Sequence, residues 1–298
     1  MAADTPADVW AAGDAYEPYV GRWSRSVARA FLPWLGLPRD LDWLDVGCGT
    51  GALSQIVLET CEPRSVAATD ASAGFLEYAR RRMPDARVTF RIGDAQALPF
   101  PDHAFDVAVS GLVLNFIPDK ARAVAEMRRV LRPGGTAAFY VWDYAGDMQL
   151  MRPFWEAAAA LDPKAETLDE GRRFPICHPE PLGDLCHDAG LIDIAARTID
   201  IPTVFRDFDD YWTPLLTRHD RAPGYVMSLG TDQRFSLRER LRTILPTRSD
   251  GARWRPAGLI HCGVWRQLPR RSTERWLDPS HRSCVGSPRH ERLTRLKT

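Results

Sequence analysis

Between residues 42 and 143 short apolar runs alternate with longer stretches in which apolar positions recur every three or four residues. The runs at 43–46, 65–69, 87–91, 105–110 and 136–142 are too short for helices and read as five strands. Between them, 51–61, 73–82 and 119–131 carry the helical spacing, and Arg132-Pro133-Gly134-Gly135 closes the last with a helix stop and a tight turn. Strands joined by helices of this length need right-handed crossovers, which lay the strands parallel in one sheet covered on both faces. The predicted class is a doubly wound, Rossmann-like, mostly parallel α/β fold.

Helical spacing also appears outside this core. Tyr16, Tyr19, Trp23, Val27, Phe31 and Trp34 mark an amphipathic helix that either packs on the sheet or lies across the strand ends. Met148, Met151, Phe154, Trp155, Ala158 and Leu161 mark another, suited to core packing or to an adaptable lid. Further on, 180–189 reads as a helix, 191–204 as a strand, and 207–216 and 236–245 as helices. From 252 to 298 neither period is sustained, and the segment reads as an irregular tail.

Charge sharpens that division. The net charge is zero, yet 252–298 holds eleven Lys and Arg against three Asp and Glu, leaving 28 basic against 36 acidic residues in 1–251. An acidic body argues against a phosphate-tracking nucleic-acid surface. No apolar run reaches the ~20 residues of a membrane span and the first residues do not resemble a signal peptide, so the expected location is the cytoplasm, away from the membrane. The six cysteines are scattered without metal-ligand spacing, which predicts free thiols and no zinc site.

The chemistry is concentrated where the first strand meets its helix, at Leu44-Asp45-Val46-Gly47-Cys48-Gly49-Thr50-Gly51. Alternate glycines let a ligand approach the backbone, and the helix beyond offers free amides. The same glycines satisfy a dinucleotide fingerprint with Ala52 in the last place. Asp45 separates the two readings, because a carboxylate at the strand mouth repels a pyrophosphate and welcomes the cationic end of a methionine moiety. Asp70, at the end of the second strand, suits ribose hydroxyls in either cofactor. Asp94, in Gly93-Asp94-Ala95-Gln96-Ala97-Leu98-Pro99-Phe100, suits an adenine amino group with a neighbouring amide for a ring nitrogen, or caps a short helix. No Tyr-x-x-x-Lys pattern supports an NAD-dependent oxidoreductase.

Together with FDVAVSGLVLNF at 105–116 and LRPGG at 131–135, these segments resemble class I S-adenosylmethionine-dependent methyltransferases of the type 11 family, similar to quinone-biosynthesis C-methyltransferases. The resemblance covers roughly residues 40–145, and YVGRWS at 19–24 is similar to the N-terminal cap of some members. It implies a seven-stranded sheet, six strands parallel and one antiparallel, with S-adenosyl-L-methionine across the carboxyl ends of strands one, two and four. It further implies that Asp45, Gly47, Cys48, Gly49 and Gly51 hold the methionine part, Asp70 and Ala71 the ribose, and Asp94 and Ala95 the adenine. Ser110, Gly111 and Leu112 would line the methyl path, and Tyr19 and Arg22 are candidates for the methionine carboxylate. The expected domain is 1–251, with the cofactor core at about 40–145 and the acceptor or lid side at about 146–251.

Methyl transfer from a sulfonium needs alignment and exclusion of water, and a base only where the acceptor must lose a proton. Asp143 and Tyr144, after the fifth strand, are the catalytic candidates, with His219 a further one. The fourth strand lacks the Asn/Asp-Pro-Pro-aromatic run that resembles amino-group methylation of bases. The aromatic and methionine-rich helices fit a small, partly apolar acceptor methylated on oxygen or carbon. A cofactor-binding regulatory protein would carry the same binding elements. Asp207, Asp209 and Asp210 suit a helix cap better than a metal.

The family pattern stops at Ser249-Asp250-Gly251, where the hairpin with the last strand is due. The last strand is therefore expected to be missing or replaced, by out-of-frame sequence or by a basic binding extension, with the region of Leu259 to Trp265 as a partial substitute.

Overall fold

The computed structural model describes residues 17–146, 148–217, 221–245 and, as backbone, 257–267. Among them seven strands form one sheet: β1 Asp42–Val46, β2 Ser65–Asp70, β3 Val88–Ile92, β4 Phe105–Gly111, β5 Leu131–Trp142, β6 Ile194–Val204 and β7 Ala257–Gln267. Their spatial order is β3-β2-β1-β4-β5-β7-β6. The first five are mutually parallel, and β7 runs antiparallel to both β5 and β6. Six strands thus share one direction, as the resemblance implies.

The closing strand is where sequence and structure differ. Ala257–Gln267 runs the whole length of β6, with Ala257 opposite Val204 and Gln267 opposite Ile194, and occupies the place between β5 and β6. The last strand is therefore present: the irregular reading does not hold for 257–267, whereas the region of Leu259 to Trp265, expected as a partial substitute, lies within this strand. Ladder pairing satisfies main-chain N–H and C=O groups whatever the side chains, so a strand can form where no alternation announces it. Residues 252–256 and 268–298 lie outside the described residues.

Ten helices flank the described sheet: α1 Arg22–Leu35, α2 Ala52–Thr60, α3 Ala73–Arg82, α4 Lys120–Val130, α5 Arg152–Leu161, α6 Glu170–Arg173, α7 Pro179–Asp188, α8 Phe208–Trp212, α9 Arg221–Ser228 and α10 Thr231–Ile244. Polar caps fix several starts: Ser72 accepts from Phe75 N before α3, Asp119 from Arg122 N before α4, and Asp207 from Asp210 N before α8. The helix expected at 207–216 splits into α8 and a 3₁₀ turn, Thr213–Leu216, at whose start Pro214 stands. α9 has no counterpart in the sequence reading.

Central strands β1 and β4 are buried nearly throughout, as expected with helices on both faces. A π-helical turn, Glu17–Gly21, leads into α1, which buries Val27, Phe31 and Leu35. The Phe31 ring lies 4.8 Å from that of Tyr140. The helix packs on the sheet and also reaches the strand ends, so both readings of its amphipathic stripe hold. Cys48, Cys61, Cys177 and Cys186 are free thiols, and no described helix is long and apolar enough to cross a membrane.

Candidate active site

At the carboxyl ends of β1, β2, β4 and β5 lies a cleft of about 830 Å³, counted out to its open mouth. Its floor is the loop from β1 to α2. Gly47, Gly49 and Gly51 all take positive φ, at 73°, 53° and 82°. Gly47 N and Cys48 N donate to Thr69 O at 2.8 and 2.9 Å, tying the loop to β2. A Cβ on Gly49 meets nothing within 4 Å, whereas one on Gly51 would stand 2.1 Å from Met83 Cε. Gly49 therefore faces open space and Gly51 serves packing under the loop.

Two carboxyl groups border this floor. Asp45 is 1% exposed; its Oδ2 accepts from Ser54 Oγ at 2.6 Å and its buried Oδ1 has no partner. Burial pushes its carboxyl up to about 7, against the pull of hydrogen bonds from Ser54 and with a further push from the charge of Asp70. Asp70 accepts from Gly49 N at 2.9 Å and Ser72 N at 2.8 Å; burial still raises its carboxyl above the usual range. Burial, with the charges of Asp45 and Asp70, also lifts the Cys48 thiol well above its usual value, which keeps it from acting as a thiolate.

The other end of the cleft is aromatic. Tyr140, Trp142 and Tyr144 stand at alternate positions along and just beyond β5, and all three line it. Met148 and Met151 precede α5, and Tyr19 and Ser24 close the cleft from the N-terminal side. Tyr19 Oη donates to Met151 Sδ at 3.3 Å, and both residues also border a smaller apolar pocket with Phe205 and Leu215. Leu112, a non-glycine residue at φ 64°, donates a hydrogen bond from its backbone N–H to Tyr140 O at 2.8 Å, and with Gly111 it lines the cleft. Glu170, at the start of α6 and 3% exposed, accepts from the Trp155 indole and faces the same space.

Of the sequence candidates, Tyr19, Asp45, Gly47, Cys48, Gly49, Asp70, Gly111, Leu112 and Tyr144 come together around the cleft. Others stand outside its wall. Arg22 pairs with Asp210 at 3.0 Å and lies over the Phe205 ring at 5.4 Å. Ser110 Oγ donates to Val46 O and joins β4 to β1. Asp143 accepts from Gly146 N, and Ala71 is exposed. Asp94 is turned to Gln96, whose backbone and side-chain N–H groups hold its carboxyl below the usual range; Ala95 follows it on that turn. Asp207 caps α8, Asp209 meets Arg238 and Asp210 meets Arg22, so each of these acids has a structural task. His219 lies outside the described residues.

The sequence reading missed Phe75, Tyr140, Trp142 and Glu170 among the lining residues. The alternation of Tyr140, Trp142 and Tyr144 was an available signal. Glu170 had none, since it lies in a stretch without either period.

A family model described as a methyltransferase domain matches residues 44–139. The 2-methyl-6-phytyl-1,4-hydroquinone methyltransferase of Synechocystis is 29% identical over 192 residues, 63% of this chain and 59% of that protein. The demethylmenaquinone methyltransferase of Roseiflexus castenholzii is 30% identical over 171 residues, 52% of this chain and 70% of that protein. The chain thus spans somewhat over half to about two thirds of the length of these relatives. Haemonchus contortus phosphoethanolamine N-methyltransferase 2, solved with S-adenosyl-L-methionine, superposes with a TM-score of 0.52 at 18% identity, covering 82% of this chain and 52% of that one. That last likeness concerns the fold alone. The sheet order, the glycine loop closing β1 and the alignment across its core agree, and the chain belongs to the class I S-adenosylmethionine-dependent methyltransferase family.

Proposed function

We propose that this chain transfers a methyl group from S-adenosyl-L-methionine to oxygen or carbon of a small, partly apolar acceptor. The observation that carries this reading is the unpartnered, buried Oδ1 of Asp45 on the wall of the cleft. An α-ammonium group answers it, since a buried acceptor without a donor costs free energy that such a donor relieves. Asp70 keeps lone pairs for ribose hydroxyls beside its two backbone donors. A pyrophosphate in the same place would meet two acids. Phe75, from α3, adds an apolar face near Asp70 for a purine ring.

When bound, the sulfonium supplies a methyl group on a good leaving group. The chain's own part is to align the acceptor and exclude water. The rings of Tyr140, Trp142 and Tyr144 do both, and electron-rich faces favour a cationic sulfur beside them. The two bacterial relatives are named for a phytyl hydroquinone and for demethylmenaquinone, and an aromatic cleft supports an acceptor of that partly apolar kind.

Calorimetry with S-adenosyl-L-methionine tests the reading. Binding in the micromolar range is expected, weakened at least tenfold by Asp45→Asn; absence of binding at high micromolar ligand overturns it. Formation of S-adenosylhomocysteine with a metabolite panel then separates an enzyme from a binding protein.

A further inference from the structure

We propose that the methyl acceptor carries a flexible hydrocarbon tail and that the small apolar pocket beside the cleft holds it: the acceptor's ring sits at the aromatic end of the cleft, and its tail passes Met151 into the pocket. This rests on the methyl-transfer reading and adds the shape of the acceptor to it.

Four segments of chain converge on this pocket. Tyr19 comes from the π-helical turn, Leu150 and Met151 from the stretch before α5, Phe205 from just beyond β6, and Tyr211 and Leu215 from α8 and the 3₁₀ turn after it. All six are buried, and among the described residues no charged side chain lines the space. Two hydroxyl groups stand on its wall, and each has an acceptor: Tyr19 Oη donates to Met151 Sδ at 3.3 Å and Tyr211 Oη to Leu150 O at 3.3 Å. The Tyr211 ring meets that of Phe205 edge-on at 5.3 Å. A wall of this kind favours hydrocarbon over any group that needs a hydrogen bond.

Size makes the pocket an annex of the cleft. At about 250 Å³ it falls below the roughly 300–1,000 Å³ of ordinary small-molecule sites, whereas the cleft, at about 830 Å³, lies within that range. Tyr19 and Met151 line both spaces, so a single layer of side chain separates them. The backbone of Met151 is held on both sides, its N–H donating to Met148 O at 2.8 Å and its C=O accepting from Trp155 N at 3.1 Å. Its side chain is the part that can yield: a thioether is a weak acceptor on an unbranched chain with three rotatable bonds, and it re-packs at little cost. A tail that turns it aside exchanges water for apolar walls along its length.

The test uses the full chain loaded with S-adenosylhomocysteine and phenols that differ only in tail length: para-ethylphenol, para-butylphenol and para-hexylphenol. Each methylene taken out of water is worth about fourfold in affinity, so calorimetry should find the hexyl compound about tenfold or more tighter than the ethyl one. The hexyl compound with a carboxylate at the end of its tail should bind about tenfold or more weakly than its parent, because the pocket offers that charge no partner. Leu215 lines the pocket and not the cleft, and Leu215→Phe should bring the hexyl and ethyl affinities within about threefold of each other. The affinities for para-ethylphenol and S-adenosylhomocysteine should stay within about twofold of the wild-type values. If that variant does not fold, nuclear Overhauser contacts in the wild-type chain decide: the terminal methyl group of para-hexylphenol should reach Tyr211 and Leu215. No binding of any phenol, equal affinity across the series, undiminished binding of the carboxylate, an unchanged gain with tail length in folded Leu215→Phe, or a terminal methyl group beside Trp142 and Tyr144 instead each overturns the inference. Failure of the wild-type chain to bind S-adenosylhomocysteine at all would instead overturn the methyl-transfer reading.

Discussion

Ser54 Oγ donates a 2.6 Å hydrogen bond to Asp45 Oδ2, while the Oδ1 of the same carboxyl group is buried without a partner. The hydrogen bond lowers the cost of charge on Asp45 without cancelling it, and the carboxyl group titrates at about 7. Its folded value lies above the ordinary 3.8, so between roughly pH 4 and 7 the folded chain holds a proton that the unfolded chain has released. Stability from this group therefore falls as pH rises through that window and is level above it.

The same titration governs the cofactor. An ammonium group binds the charged carboxylate, so affinity for S-adenosyl-L-methionine should rise with pH by up to about tenfold per unit below 7 and flatten above. Calorimetry between pH 5.5 and 8.5 checks this, and Asp45→Asn should abolish the rise. A flat wild-type profile would count against the assignment.

Gly49 and Gly51 share a backbone conformation and differ in what surrounds them. Gly49→Ala should cost about 1–2 kcal/mol of stability, the left-handed penalty alone, because its Cβ meets nothing within 4 Å. That methyl group faces the cleft floor, so cofactor affinity should fall at least tenfold. Gly51→Ala adds displacement of the flexible Met83 end and a tight 3.3 Å approach to Ala79 Cβ, and should cost about 2–3 kcal/mol. Denaturant melts of both variants, read beside calorimetry, separate the two roles.

Arg22 and Asp210 pin α1 to α8 across the cleft's outer wall. Burial alone would raise the Asp210 carboxyl, yet the Arg22 and Arg206 hydrogen bonds and the Arg22 charge bring it down to about 2. The stability this pair adds is present above pH 3.8 and is lost as pH falls towards 2. Arg22→Met should lower stability at pH 7 by about 1–2 kcal/mol and leave cofactor affinity within threefold. A tenfold loss of affinity would return Arg22 to the methionine carboxylate, the role the motif resemblance gives it.

The parts of the site legible in the sequence are those built within one stretch of chain. Asp45 and the glycines after it must follow one another where a strand turns into a helix, and Asp70 must end the adjacent strand; local order alone encodes them. Of Tyr140, Trp142 and Tyr144 only the last is a candidate from sequence; the alternation of the three is there to read, but nothing in it says which face of β5 meets the cleft. Arg22 illustrates the limit. Its partner stands 188 residues away, so a residue within the cap motif, a candidate ligand-holder from sequence, is engaged by another side chain. Asp94 shows the opposite case, because the neighbour that engages it, Gln96, is two residues away.

By itself the sequence determined the doubly wound class, the five parallel strands and the glycine-loop end of the cleft, because hydrophobic period, helix stops and glycine spacing are properties of short segments. Tertiary structure decided that Ala257–Gln267 closes the sheet and that Glu170 meets the aromatic wall. A strand placed by main-chain pairing and a turn placed by Trp155 leave no period in the chain to read; each is defined only by the distant element that satisfies it.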